Sequence, residues 1–301
     1  MKASHITAGV PLDVITSVNL KKYYGQARGL EDATLAVRAG EIYGFVGPNG
    51  SGKTTFIRIL AGLIQSTSGS VSVLGKTPGP DSAAINKDIG YMPGESFYYP
   101  ELKVRTVLSF FARERGCDDI RMRELAAILD LDLDKRIDAL SFGNRKKVGI
   151  VASMLHRPQL LVLDEPTTGL DPLVQRIFLD LLREEQKRGT TVFLSSHNLT
   201  EVEKVCDRVA LVKDGKILLV TTIADLVKQK HKRLVVASAA DLVLPGLQKN
   251  GGNDRESYFE YRGETAPLLN LLAGANLTDV VIRDATLEEI FIGHYKRGNE
   301  R

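Results

Sequence analysis

The stretch that most constrains this chain is GPNGSGKT, running from Gly47 to Thr54 between the apolar run EIYGFVG and the helically spaced TTFIRILAGLI. It fits the pattern G-x-x-x-x-G-K-[ST]. Glycine at Gly47, Gly50 and Gly52 lets the backbone curl so that successive N–H groups point inward around a phosphate, with Pro48, Asn49 and Ser51 filling the turn. Lys53 adds a mobile positive charge for the outer phosphate oxygens, and the Thr54 hydroxyl suits Mg²⁺. The helix that follows presents its N-terminus, with Thr55 in the first turn, to the same anion. Such a loop needs a strand before it and a helix after it, and the flanking sequence supplies both. A polyphosphate site at the heart of an α/β domain is therefore the first expectation.

Along the chain, strands are expected at 13–20 and 33–38. QLLVLDE, TVFLSSH and RVALVKDGKILLV follow as short apolar runs separated by helices, the pattern of a largely parallel sheet covered on both faces. Residues 101–157 carry only helical signals, so a helical insertion of about 95–160 interrupts the α/β core. Past residue 222 the pattern weakens; LVVAS, SYFEY and DVVIRD suggest strands, and 264–273 and 286–295 suggest helices. The reading is a leader at 1–12, a core domain at 13–221 and a small α+β accessory domain at 222–301. No long internal repeat is present, so one phosphate site per chain is expected.

Composition narrows the setting. No apolar run reaches the roughly 18 residues of a membrane span, so any membrane crossing falls to another polypeptide. The formal charge of +3 is spread thinly, which argues against a nucleic-acid partner. The two cysteines, Cys117 and Cys206, show no pairing pattern and suit a reducing compartment.

Two acids, Asp164 and Glu165, stand at the carboxyl end of LLVLDE. Asp164 suits Mg²⁺, and Glu165, directed elsewhere by strand alternation, suits polarising an attacking water as general base. TVFLSSH ends in His197. Three apolar strands thus deliver polar groups at their carboxyl ends, where open α/β sheets bind ligands. His197 is placed to hydrogen-bond the terminal phosphate or the water.

Taken together, these motifs resemble the ATP-binding subunits of ABC transporters over residues 13–220. The resemblance implies an α/β fold of P-loop NTPase type with a helical subdomain, ATP hydrolysis, ATP and Mg²⁺ as ligands, and a separate transmembrane permease as partner. It also implies a second ATP-binding subunit, and a cytoplasmic location on the inner face of the membrane. TGLD, from Thr168 to Asp171, looks like the D-loop, and LSFGN, from Leu140 to Asn144, like the signature segment LSGGQ. By that resemblance Ser141 and Gly143 meet the γ-phosphate held by the opposite subunit, and Asp171 of the D-loop counts among the nucleotide-binding residues. Tyr24, in KKYYG, sits where the family stacks an aromatic ring on adenine, with Tyr23 as a rival. LEEIFIGHY is similar to the tail of the drug- and bacitracin-export subgroup.

The sequence departs from the family pattern at two points. Phe142 replaces the first signature glycine, and Gly94 in YMPGES stands where the family has the Q-loop glutamine. Both keep open a regulatory subunit with little hydrolysis, an alternative that stands beside a soluble ATPase of this family with no transport role. Phe97, Tyr98 and Tyr99 follow that loop, and are expected either to line a groove for a short permease helix or to be partly buried against the helical insertion.

Overall fold

Ile42–Val46, Leu160–Leu163 and Thr191–Ser196 are buried at every residue, and strands covered on both faces tend to pair in parallel. The computed structural model describes residues 13–228, 231–237, 242–253, 255–275 and 277–291, so the expected leader at 1–12 lies outside the described residues. The chain divides into two units after Ile223.

In the first unit, in chain order, lie β1 (Asp13–Tyr24), β2 (Ala27–Arg38), β3 (Ile42–Val46), α1 (Lys53–Leu60), β4 (Ser68–Val73), α2 (Ser82–Asp88) and β5 (Ile89–Met92). The helices α3 (Val104–Glu114), α4 (Ile120–Ile128) and α5 (Phe142–Met154) follow. Then come β6 (Leu160–Leu163), α6 (Pro172–Lys187), β7 (Thr191–Ser196), α7 (Leu199–Val205), β8 (Arg208–Lys213) and β9 (Lys216–Thr222). The sheet order is β4-β1-β2-β9-β8-β3-β7-β6-β5.

The sheet is less parallel than the sequence suggests. Strands β8, β3, β7, β6 and β5 pair in parallel, but β1 with β2, β1 with β4, and β8 with β9 are antiparallel. Tight turns explain the hairpins: Gly25, and Asp214 with Gly215, take positive φ between strands joined too closely for a crossover. Strands β1 and β2 also run further than expected, because backbone pairing continues to Tyr24↔Ala27 after the apolar alternation has faded.

Phe45 from β3, Phe193 from β7 and Phe56 from α1 form one aromatic cluster with centroids 4.8 to 5.6 Å apart. Phe56, Ile57, Ile59 and Leu60 are buried, so α1 is seated on the sheet and the loop before it is held at the carboxyl end of β3 in the sheet's interior. Phe56→Ala would cost about 3–5 kcal/mol by this account. Helices α3 to α5 form the expected insertion. Arg121 of α4 reaches Glu185 of α6 at 2.6 Å, and both side chains are buried.

The second unit begins within α8 (Ile223–Lys228), and contains β10 (Lys232–Val236), β11 (Leu247–Gly252), β12 (Ser257–Tyr261), α9 (Thr265–Gly274) and β13 (Val280–Asp284). Its antiparallel sheet, in the order β11-β12-β10-β13, shares an apolar core with α9 through Leu234, Val236, Phe259, Tyr261, Leu268 and Leu272. Strand β11, LQKNGG, carries no apolar alternation, so only its backbone pairing with β12 reveals it.

Candidate functional site

The loop Gly47–Gly52 joins β3 to α1, and its glycines are sterically required. A Cβ on Gly47 would stand 2.2 Å from the Val212 carbonyl oxygen. Gly52 has φ 101°, and a Cβ there would stand 2.4 Å from the Gly29 carbonyl oxygen. Lys53 folds back over this turn, donating from Nζ to the carbonyls of Gly47 (2.7 Å) and Pro48 (3.1 Å). Pro48, Asn49 and Gly50 are exposed.

Two features fit this loop to a polyphosphate. Helix α1 has no side-chain cap on its first-turn N–H groups, and the Ser51 hydroxyl is buried without a protein hydrogen-bond partner. Both leave donors for an anion, whose charge the helix N-terminus also favours. Thr54 is exposed in the first turn and Thr55 half-buried beside it.

The parallel pairing of β6 with β7, in register at Leu163↔Leu194, sets the residues just beyond them side by side. Asp164 is buried and accepts a hydrogen bond from Ser195 Oγ at 2.7 Å. Glu165 N–H donates to the same oxygen at 2.9 Å. The Glu165 carboxylate lies between two bases: Oε1 is 3.3 Å from Lys53 Nζ, and Oε2 is 2.8 Å from His197 Nδ1. The structure therefore gathers Gly47–Thr55, Asp164, Glu165 and His197 into one constellation. The donor set suits a divalent cation beside a phosphate: the exposed Thr54 hydroxyl and the Asp164 carboxylate are hard oxygen ligands.

Two members of this constellation escaped the sequence reading. Ser195 is a fully buried serine inside an apolar strand, and only the register shows that it serves both acids. Lys146, on α5, is 4% exposed and donates from Nζ to the Gly94 carbonyl (2.6 Å) and the Glu165 carbonyl (2.9 Å). Burial lowers its pKa, an effect opposed by the negative charges of Asp164, Glu165 and Glu95. In sequence it is one of two adjacent lysines with nothing to distinguish it. Gly94 itself is not forced by space, since a Cβ there would meet Asp164 Oδ2 at an ordinary 3.4 Å.

Ser141, Gly143 and Asp171 stand apart from the phosphate loop. They line an open cavity of about 1090 Å³ to which no residue of Gly47–Thr55 contributes. Ser141 caps α5, its Oγ accepting from Asn144 N–H at 3.3 Å. Asp171 caps α6, accepting from the N–H groups of Leu173 and Val174. Phe142 is half-exposed and its ring lies against Gly169; a Cβ on Gly169 would stand 2.3 Å from it.

Tyr24 and Tyr23 separate clearly. Tyr23 Oη donates to Glu31. Tyr24 is 47% exposed, and a Cβ on Gly29 would meet both its ring (2.9 Å) and Thr55 Cγ2 (3.1 Å). The ring therefore stands beside the phosphate loop, half-exposed, with Lys22 Nζ 5.2 Å from its centroid. The three aromatics after Gly94 also divide. Tyr98 packs edge-on against Phe111, with centroids 6.4 Å apart, whereas Phe97 and Tyr99 are 88% and 75% exposed. A cavity of about 360 Å³ beside them is lined by Leu63, Tyr91, Phe97, Tyr98, Phe111 and His156, among others.

The family model described as "ABC transporter" matches residues 30–168. An uncharacterized ABC transporter ATP-binding protein of Methanocaldococcus jannaschii is 38% identical over 220 residues, 70% of this chain and 78% of that protein. The bacitracin transport ATP-binding protein BcrA of Bacillus licheniformis is 35% identical, the match covering 73% of this chain and 74% of BcrA. A solved ATP-binding subunit of an ABC transporter superposes with a TM-score of 0.65 at 29% identity, covering 72% of this chain and 92% of that one.

Proposed function

The chain belongs to the ABC transporter family as an ATP-binding subunit, and from that premise we propose that it hydrolyses ATP to drive export through a separately encoded permease. The observation that carries this reading is the Glu165 carboxylate held between Lys53 and His197 at the mouth of the phosphate loop. A carboxylate so placed can take the proton of a water attacking the γ-phosphorus as the bond to the bridging oxygen breaks. Lys53 exchanges its contact with Glu165 for the phosphate oxygens. His197 orients the carboxylate and the water. Thr54 and Asp164 would hold Mg²⁺, which offsets the negative charge of the phosphates. Tyr24, half-exposed beside the loop, would stack on the adenine.

Because Ser141 and Gly143 lie away from the loop that binds ATP in their own chain, they act on ATP held by a second subunit. Two ATP molecules sandwiched between subunits then favour a closed dimer, provided ATP binds that state far more tightly than ADP does. Asp171 lies at the same interface. No helix among the described residues is long and apolar enough to cross a membrane. In this reading attachment to the inner membrane face falls to the permease, a short helix of which would occupy the cavity lined by Phe97 and Tyr98. Export is supported by relatives named for bacitracin transport, linearmycin resistance and Nod factor export.

The test is a pair of variants. Lys53→Ala should weaken ATP binding. Glu165→Gln should bind ATP normally, lose hydrolysis by about 10²–10⁴-fold and accumulate as an ATP-bound dimer. Normal turnover by the Glu165→Gln variant would remove Glu165 from the role of base. A second reading, a regulatory subunit with slow hydrolysis, is favoured by Gly94 and by the Phe142 ring beside the signature loop. ATPase activity near zero in the unmodified chain would select it.

A further inference from the structure

Glu165 is the one residue of the constellation whose backbone is in a disfavoured region, with φ 47°. Non-glycine residues occupy that region at a cost, and persist there only where surrounding contacts over-determine them. Here the contacts are identifiable on both sides of the residue. The N–H is held by Ser195 Oγ at 2.9 Å, and the carbonyl by Lys146 Nζ at 2.9 Å. The same ammonium holds the Gly94 carbonyl at 2.6 Å, so it ties three segments together: the start of α5, the loop after β5 and the residue after Asp164. A side chain 4% exposed and spent wholly on backbone acceptors is a brace, and its position at the N-terminal part of α5 links that helix to the base.

Granted hydrolysis by Glu165 as proposed above, we propose that Lys146 is a positioning residue that holds the Glu165 backbone in its left-handed conformation, and so aims the carboxylate. Lys146 touches neither water nor phosphate in this role. Its loss lets the peptide at 165 relax and swings the carboxylate from its place between Lys53 and His197. A misplacement of about 1 Å is enough to cost on the order of 10²-fold in rate.

The experiment compares the purified full chain with Lys146→Met, alone and combined with Glu165→Gln. Lys146→Met should lower kcat about 10²-fold while the KM for ATP stays within about twofold. In the Glu165→Gln background, where no base remains to be aimed, Lys146→Met should change the residual rate by less than about twofold, since residues acting as a unit are non-additive. A crystal structure of Lys146→Met should show φ of residue 165 outside the left-handed region. Should Lys146→Met not fold, Lys146→Gln, whose amide falls short of both carbonyls, takes its place with the same outcomes. Unchanged kcat, an equal loss in both backgrounds, or an unmoved φ would each overturn the proposal. Failure of the unmodified chain to hydrolyse ATP would overturn the hydrolytic reading as well, which separates the two failures.

Discussion

Glu165 Oε2 lies 2.8 Å from His197 Nδ1, joining the residues just past the ends of two adjacent parallel strands. The contact fixes which imidazole nitrogen faces the carboxylate and leaves the other free to point onward. His197→Ala removes this orientation without touching the phosphate loop. It should lower kcat by about 10- to 100-fold, a cost typical of losing a positioned polar partner in a site, while ATP binding, measured by nucleotide fluorescence, stays near that of the unmodified chain. A large fall in affinity would mean that His197 acts chiefly in binding.

Ser195 offers a test of the support beneath the acids. Its hydroxyl donates to Asp164 and accepts from Glu165 N–H. Ser195→Ala strips both partners at once in a buried setting, so a loss of about 1–3 kcal/mol in stability is expected, the cost of leaving such groups unmade. Urea denaturation would measure it. A change below about 0.5 kcal/mol, the scale of an ordinary surface substitution, would show that water takes over both bonds.

The aromatic loop after Gly94 predicts a separation of transport from hydrolysis. Phe97 and Tyr99 are exposed, whereas Tyr98 is packed on Phe111, so serine at Tyr98 would disturb the core as well as the surface. The informative variant is Phe97→Ser with Tyr99→Ser. It should retain ATPase activity in the isolated subunit and the melting temperature, and lose transport when co-expressed with the permease. Intact transport would dissociate this loop from the permease.

His156 predicts a dependence on pH. Burial lowers its pKa below the ordinary 6.5, with Arg115 adding to the effect and the Ile89 carbonyl and Asp88 opposing it. Below 6.5 the unfolded chain therefore binds more protons here than the folded one. The stabilising contribution is present above that pH and is lost as the pH falls toward the folded value. His156→Gln, which keeps a donor within reach of Ile89 but cannot titrate, should show a shallower fall in melting temperature between pH 7 and 5. An identical slope would assign the acid sensitivity to other groups.

The sequence exposed the parts of the site whose chemistry is local. Glycines at Gly47 and Gly52 are legible because the turn itself demands them, and Asp164, Glu165 and His197 because they end apolar strands. Tyr24 could not be told from Tyr23 in sequence, because the Glu31 contact of Tyr23 and the Gly29 and Thr55 neighbours of Tyr24 depend on how β1 and β2 pair. Ser195 and Lys146 were out of reach for a different reason. Whether a serine in a buried strand faces an acid depends on the register of the neighbouring strand, and which of two adjacent buried lysines reaches the Glu165 carbonyl depends on what α5 packs against. The hairpins of β1 with β2 and β8 with β9, like strand β11, rest on backbone pairing that apolar periodicity does not record.

The ring of Phe142 against Gly169 has a mechanical consequence. With the left-handed glycine at φ 81° already filled on its open side by the aromatic edge, a shift of the tip of α5 toward the turn after Glu165 meets the Gly169 backbone. Gly169 stands four residues from Glu165, the proposed base. In the proposed dimer, this one van der Waals contact joins the surface offered to a second subunit to the turn that follows the proposed base.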